Sequence, residues 1–479
     1  MKISTLAIEN FKKFKDRYDF NFSGQNFLVG ENNTGKTSVI DAIDYLFNGP
    51  KKDKNYKNLN TKPGEFISVE AVICGDFSNV DKKYADYIFT DAEGNSYIRV
   101  KRSDKEGEVT QPGKKEPVVL NESKILCWST DRGQFENPTG KDTTFNVIDI
   151  VSIYANDHVD DVVSFDSTKI LGKLIKNSVG DFFETDEYQQ FKERHDSVFN
   201  TGPNSLKSRL NVLAEDISTI LKEQWGELEL GFKFDLTDTT SHLKKGSVLI
   251  KEGDIEHGLE DKGSGLQRSV MLSMIQALSK VYKSDAESNI ILCIDEPELN
   301  LHPRAQERLA VALSKLSENI QIVVSTHSPY MLRSFNKDSD VVYVFEDSKS
   351  ASPKVLEKLS VLPFGPTLAE IQHFAYRLRP NDLHNELYGY LHSESLLTSF
   401  VPSKRWLDDR KLKRYAEDNS IDIESIDDAT KEGLKYDVSL QEYVRHSIHH
   451  PENEENLDFT DEEIERSIQE MIILIQSQN

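Results

Sequence analysis

Apolar residues recur along this chain in two rhythms. Short runs and alternations mark the first 156 residues, where Lys2 to Ile8, Asn26 to Val29, Ile67 to Phe77 and Ile148 to Tyr154 predict strands. One helical stretch interrupts them, Ser38 to Phe47, with Val39, Ile43, Leu46 and Phe47 at helical spacing. From about 158 to 225 the rhythm turns helical, through Ile170, Leu174 and Ile175, then Leu206, Leu210, Leu213, Ile217 and Leu221. Strand character returns over Leu228 to Ile250. A helix carrying Val270, Leu272, Met274, Ile275 and Leu278 then alternates with the apolar runs Ile290–Ile294, Ile322–Val324 and Val341–Phe345. Beyond Leu362 the pattern is helical and polar. There Thr460-Asp461-Glu462-Glu463 fits a capping box, ahead of Ile464, Ile468, Met471, Ile472 and Ile475. Asn48 to Pro63 and Asp104 to Pro117 are polar, Lys-rich and marked by Gly or Pro, which predicts exposed loops. The rhythm divides the chain at 1–156, 157–245, 246–361 and 362–479.

Composition adds bounds. At 479 residues the chain is long enough for two or three domains. Its 58 basic and 81 acidic residues leave a net charge of −23, which argues against a broad nucleic-acid-coating surface while allowing a local basic groove. Cys74, Cys127 and Cys293 lie too far apart in sequence for a paired metal or disulfide spacing. Cys293, inside an apolar strand, reads as a small core residue. No apolar run approaches the ~18 residues that span a bilayer, and Met1-Lys2-Ile3-Ser4 has no signal-peptide character. A soluble, reduced, cytoplasmic protein without membrane contact is expected.

The densest chemistry lies at Gly30-Glu31-Asn32-Asn33-Thr34-Gly35-Lys36-Thr37, which fits G-x-x-x-x-G-K-[ST]. Gly30 and Gly35 permit backbone conformations that a Cβ resists. Amides exposed there, from Gly30, Asn32, Asn33, Thr34, Gly35 and Ser38 among them, converge on an anion at a helix N-terminus. Lys36 supplies a mobile charge for the terminal phosphates, and the Thr37 hydroxyl suits Mg²⁺. A chance glycine-rich turn is the bland alternative, and a strand before and a helix after the loop oppose it.

Three further segments extend the pattern. Ile290-Ile291-Leu292-Cys293-Ile294-Asp295-Glu296 is an apolar strand ending in two carboxylates. Asp295 would hold Mg²⁺, and Glu296 would orient or deprotonate the attacking water. Lys262-Gly263-Ser264-Gly265-Leu266-Gln267-Arg268 opens an apolar helix, so free amides and the Ser264 hydroxyl make a second anion site. One triphosphate does not need two such sites in one chain, so Ser264 would cap a γ-phosphate held by a second protomer. Standing alone, Gly263 to Gly265 would read as a flexible helix start. Last, Ile322-Val323-Val324-Ser325-Thr326-His327-Ser328-Pro329 ends a strand in a histidine that can contact the γ-phosphate and report hydrolysis. A lone histidine there is usually structural, and its place after the acidic strand favours function.

These four segments, in this order, resemble the ABC-type ATPases of the RecF, SMC and OLD (overcoming lysogenisation defect) group. GENNTGKTS stands for Walker A, GSGLQR for the signature, CIDEPELNLHP for Walker B with its following turn, and STHSP for the switch histidine. Leu6-Ala7-Ile8-Glu9-Asn10-Phe11-Lys12-Lys13-Phe14 is similar to the group's N-terminal strand-turn. The likeness covers roughly residues 1–60 and 245–345. It implies an α/β fold: an ABC-type P-loop ATPase head in two lobes (1–156 and 246–361), a helical insertion (157–245) and an all-α C-terminal domain (362–479). The insertion is too short for long coiled-coil arms. The resemblance further implies closure of a homodimer, or a higher oligomer, around Mg²⁺ and ATP. Lys36, Glu296 and His327 would be catalytic, Thr37 and Asp295 metal ligands, and Gly263, Ser264, Gly265 and Gln267 part of the partner's nucleotide site. Gln267 and Arg268 depart from the transporter form and favour the OLD-like branch.

What the resemblance leaves to the rest of the chain is less direct. OLD nucleases continue into a Toprim domain, but Val341 to Asp347 runs into Ser348-Lys349-Ser350 without the required glycine, so built-in Toprim activity is not expected. ATPases of this kind without an effector domain resemble subunits of bacterial anti-phage systems, such as the ATPase subunit of Septu, and imply a separately encoded nuclease or toxin partner. Arg445 to His450 has the R-[polar]-x₃-H form of HEPN ribonucleases, which opens a second reading with Arg445 and His450 at an RNA site. Structural helix-end roles are the alternative for both. A RecF-like DNA-repair ATPase is a third reading. The basic stretch Ser403 to Tyr415 admits nucleic acid as a partner, against a solvated helix face as the default.

Overall fold

A computed structural model describes residues 1–155, 185–211, 248–252, 255–282, 289–346, 353–400, 415–427, 438–451 and 459–478, with isolated positions at 182, 214–215, 218 and 430. The expectations for Ile170, Leu174, Ile175, Leu213, Ile217, Leu221, most of Leu228–Ile250 and the basic stretch 403–414 lie outside the described residues.

The chain enters through β1 (Lys2–Glu9) and β2 (Tyr18–Asn21), then crosses into β3 (Gln25–Gly30) and turns into α1 (Lys36–Asn48). There follow β4 (Ser68–Cys74), β5 (Ile88–Thr90), β6 (Ser96–Ser103), β7 (Gly107–Val109), β8 (Val118–Leu120), β9 (Leu126–Ser129), β10 (Gln134–Glu136) and β11 (Asp149–Ile153). After α2 (Asp186–Asp196) and the hairpin of β12 (Leu249–Glu252) and β13 (Ile255–Gly258) come α3 (Ser264–Tyr282) and β14 (Ile290–Asp295). Next are α4 (Pro303–Ser317), β15 (Gln321–Thr326), β16 (Asp340–Phe345) and β17 (Lys354–Val355). Among the described residues four α-helices follow: α5 (Leu368–Tyr376), α6 (Asn381–Ser393), α7 (Leu440–His449) and α8 (Asp461–Gln478).

Two sheets organise the head, giving the α/β class. One is antiparallel in the order β10-β9-β6-β4-β1-β2, with β5 beside β6. The other runs β11-β14-β15-β3-β16-β17 and is parallel except at β17. Because side chains alternate across a strand, the parallel sheet feeds two cores. Leu28, Ile291, Cys293, Val323 and Tyr343 face α1 and the antiparallel sheet. Phe27, Val29, Leu292, Ile294, Ile322, Val324 and Val344 pack with Leu309 and Leu313 of α4 and Ile371 of α5. Burial raises the Cys293 thiol well above its ordinary pKa, in keeping with a core residue.

A third core joins α6, α7 and α8 through Leu383, Leu387, Val444, Ile468 and Met471. The capping box at the start of α8 forms as expected: Glu463 N–H donates to the Thr460 hydroxyl and Thr460 N–H to the Glu463 carboxylate. Helix α5 is the seam between cores, giving Ile371 and Ala375 to the head and Ala369 to the C-terminal helices.

Two loop expectations need correction. Residues 104–117 hold β7, which pairs with β8 as a hairpin. In 48–63, Tyr56 is buried and stacks on Phe11 at 5.4 Å, because the segment packs against the turn after β1. Aromatic burial outweighed the local polarity there. Arg102 is fully buried, with no carboxylate paired to it among the described residues. Its guanidinium donates to the carbonyls of Leu46, Glu122 and Thr143, fastening the end of α1 to the antiparallel lobe.

Candidate functional site

Parallel pairing brings the predicted segments together. With β15 between β14 and β3, Asp295 lies opposite Ser325, and Thr326 opposite Val29. The loop after β3, the acids ending β14 and the histidine after β15 therefore share the carboxyl edge of one sheet, where open α/β sheets bind ligands.

The loop is built for close approach. Gly30 has φ +137°, and a Cβ there would lie 2.2 Å from the Phe345 carbonyl oxygen. Gly35 (φ +115°) and Asn33 (φ +63°) complete the reversal into α1. The buried Thr34 hydroxyl donates to the Glu31 carbonyl, so it braces the loop and does not line the cavity. Lys36 Nζ donates to the carbonyls of Gly30 (3.1 Å) and Glu31 (2.7 Å), folded over its own loop. A cavity of about 530 Å³ opens there, lined by Asn32, Asn33, Gly35, Lys36, Thr37, Ser38 and Glu296.

Across from Lys36, the Thr37 hydroxyl donates to both Asp295 oxygens, at 3.0 and 3.2 Å. The Ser325 hydroxyl also donates to Asp295. Burial, seconded by the negative charge of Glu296, raises the Asp295 pKa against these hydrogen bonds. Thr37 and Asp295 form a partial set of hard oxygen donors. Mg²⁺ fits such a set, because it takes one or two protein ligands and completes its shell with phosphate oxygens and water.

Glu296 adopts φ +48°, a left-handed conformation costly for a non-glycine residue. Its N–H donates to the Ser325 carbonyl at 3.0 Å, which holds the turn. The Glu296 carboxylate then lies 2.9 Å from Nε2 of His327. Burial, with the Lys36 charge second, lowers the His327 pKa, while Glu296 opposes the shift.

Burial also lowers the Lys36 ammonium to about 8, against the pull of Glu296, Asp295, Glu298 and Glu31. Anionic phosphates would favour the protonated amine, so binding takes up a proton wherever free Lys36 is partly neutral. Nucleotide affinity should therefore fall as pH rises through about 8. Calorimetric titrations with Mg·ATP at pH 7.0 and 9.0, in buffers of different ionisation enthalpy, should show weaker binding and net proton uptake at the higher pH. Affinity independent of pH, with no proton exchanged, would contradict this.

The signature residues stand elsewhere. None of Gly263, Ser264, Gly265 or Gln267 lines the cavity. Ser264 is exposed at the start of α3, and a Cβ on Gly263 would meet nothing within 4 Å. A Cβ on Gly265 would come 3.3 Å from the Asn300 carbonyl oxygen, so α3 starts close against the turn after β14. Gln267 instead turns back, its amide donating to the carbonyls of Leu259 and Glu260. In the C-terminal helices the Arg445 guanidinium lies 4.3 Å over the Tyr388 ring, while His450 is exposed at the end of α7.

Sequence reading missed the far wall. Lys12, Lys13, Asn55, Lys57, Asn58, Leu59 and Asn60 also line the cavity. Lys12 (φ +46°) takes its place because its N–H donates to the Tyr56 carbonyl and its ammonium pairs with buried Asp41 of α1. Lys54 and the Tyr154 hydroxyl reach the same carboxylate, at 2.9 and 3.1 Å. The available signal was Asp41, a charge on the apolar face of α1.

A family model described as "AAA ATPase domain" matches residues 1–332. The Old nuclease of Escherichia phage P2 is 26% identical over 388 residues, covering 76% of this chain and 62% of that protein. Endonuclease GajA of Bacillus cereus (strain VD045) is 24% identical over 369 residues, covering 69% of this chain and 56% of that protein. The chain thus spans about three fifths of the length of these curated relatives. Among solved structures, the Smc head bound to the C-winged helix domain of ScpA gives a TM-score of 0.40 at 14% identity, covering 74% of this chain and 97% of that one. Stu0660 of Streptococcus thermophilus gives 0.39 at 11% identity, covering 97% and 99%.

Proposed function

This chain belongs to the AAA ATPase domain family, and from that premise we propose that it binds Mg·ATP and hydrolyses it between two protomers. The observation carrying this reading is the Thr37–Asp295 pair, with Lys36 on one side and Glu296 contacting His327 on the other. Backbone amides of residues 30–35 and Lys36 would hold the β- and γ-phosphates. Thr37 and Asp295 would hold the metal, which when bound screens the phosphate charge and orients the γ-phosphoryl group. Glu296 would align and deprotonate the attacking water, and His327 would contact the γ-phosphate. Ser264, exposed on α3, would cap that phosphate on the facing protomer, with Gly263 and Gly265 giving the approach.

Closure and reopening of such a homodimer would gate a second activity. Similarity to proteins named as nucleases supports nucleic acid as the ultimate target, and the anti-phage setting rests on the resemblance of the sequence motifs alone. A separately encoded nuclease or toxin would dock on the C-terminal helices (362–479) or the insertion (157–245), in the cytoplasm. Among the described residues no helix is long and apolar enough to cross a membrane. The reading with an internal ribonuclease draws no support from Arg445, which stacks on Tyr388, or from the exposure of His450.

Phosphate release from Mg·ATP by the purified chain, abolished together with nucleotide binding in Lys36→Ala, is the expected result. A chain that neither binds nor hydrolyses a nucleoside triphosphate would end the proposal.

A further inference from the structure

In the turn after β14, Glu298 has no part in the phosphate chemistry proposed above, yet it is buried. One of its carboxylate oxygens, Oε1, accepts two hydrogen bonds from consecutive residues, the Thr326 hydroxyl and the His327 N–H, each at 2.7 Å. The second of these fixes the peptide that carries the imidazole. Since His327 Nε2 meets Glu296 at 2.9 Å, the orientation of that peptide sets the geometry of both groups.

The other oxygen, Oε2, is buried without a hydrogen-bond partner among the described residues. So is the hydroxyl of Tyr376, the last residue of α5. Burial, followed by the nearby Glu298 charge, raises that phenol well above its ordinary pKa, and Thr326 lies beside it. A buried acceptor and a buried donor, not bonded to each other in the structure and both beside the Thr326 hydroxyl, are complementary. Tyr376 comes from the helix that seams the head to the C-terminal core. Its neighbour Arg377 lies 3.3 Å from Glu31 of the phosphate loop.

We propose that Glu298 is the positioning residue for His327, and that the Tyr376 hydroxyl is its second anchor, tying α5 to the switch strand. The inference rests on the ATPase reading and deepens it. Glu298 does not line the cavity. It holds the histidine's backbone against one oxygen and offers the other to the helix through which the C-terminal layer meets the head.

The test compares steady-state hydrolysis of Mg·ATP by the full chain and its variants. Glu298→Ala should lower kcat roughly 10- to 100-fold with KM for ATP changed less than about threefold, the scale of a small misplacement of a reacting group. Glu298→Gln keeps an oxygen for Thr326 and His327 and adds an amide that can donate to Tyr376, so it should restore kcat to within about threefold of wild type. Tyr376→Phe should lower kcat about threefold or more with KM unchanged. Should Glu298→Ala fail to fold, Thr326→Val, which keeps the shape and removes one donor to Glu298 together with the acceptor of the Ser328 N–H, decides the matter by the same kcat criterion. Wild-type kcat in Glu298→Ala or in Thr326→Val, or a glutamine variant as impaired as alanine, overturns the proposal. A wild-type chain without ATPase activity is a different failure, that of the underlying reading.

Discussion

Glu296→Gln should reduce kcat for ATP hydrolysis about 10²- to 10⁴-fold while ATP binding persists, the range expected when a positioned general base is removed. Glutamine is nearly isosteric, so the left-handed turn and its hydrogen bond to the Ser325 carbonyl survive. The amide still reaches His327, 2.9 Å away in the native pair. What would disappear is the basic oxygen proposed to take the proton of the attacking water. The Thr37–Asp295 pair, proposed for the metal, and Lys36 are untouched, so affinity for Mg·ATP should change little. Single-turnover assays with labelled ATP would show intact nucleotide bound for many wild-type turnover times. Hydrolysis at the wild-type rate would remove Glu296 from the mechanism and leave His327 or Asp295 to be tested for its role.

How far the sequence disclosed this site depends on the range of the interactions involved. Loop 30–37 and its helix were legible because glycine, lysine and hydroxyl sit at fixed offsets, and local backbone chemistry demands them. The acids of β14 and the histidine after β15 were legible as strand ends. Their meeting at one sheet edge follows from parallel pairing, with Asp295 opposite Ser325. The far wall was not legible in the same way. Lys12 reaches the cavity only because Asp41, 29 residues away, captures its ammonium and Tyr56 takes its backbone. Contacts of that separation leave no periodicity in the sequence. Glu298 was hidden for another reason: its partners are a backbone N–H and a hydroxyl across the sheet edge, so no charge partner marks it. Hydrophobic rhythm did foresee α8 and its buried Ile464, Ile468, Met471, Ile472 and Ile475. It could not foresee that α5 would give side chains to two cores.

Exposure of Ser264 and Gly263 on α3, away from the cavity, is what allows the strongest test of catalysis across two protomers. Ser264→Arg places a bulky cation where the facing γ-phosphate would lie, and should abolish hydrolysis while leaving binding at its own Lys36 and Thr37 intact. Glu296→Gln should nearly stop hydrolysis from the other side of the proposed composite site. Mixed together, the two inactive proteins should recover activity. In a two-fold pair each site takes its phosphate loop and acids from one protomer and its signature from the other. A mixed pair therefore holds one site with both defects and one with none. With random exchange about half the pairs are mixed, and each has one working site of two, so activity should return to about a quarter of wild type if sites act independently. Catalysis within single chains gives no recovery at any mixing ratio. Recovery that follows the fraction of mixed pairs, measured by phosphate release against the ratio of the two proteins, would establish that Ser264 acts on the partner's nucleotide.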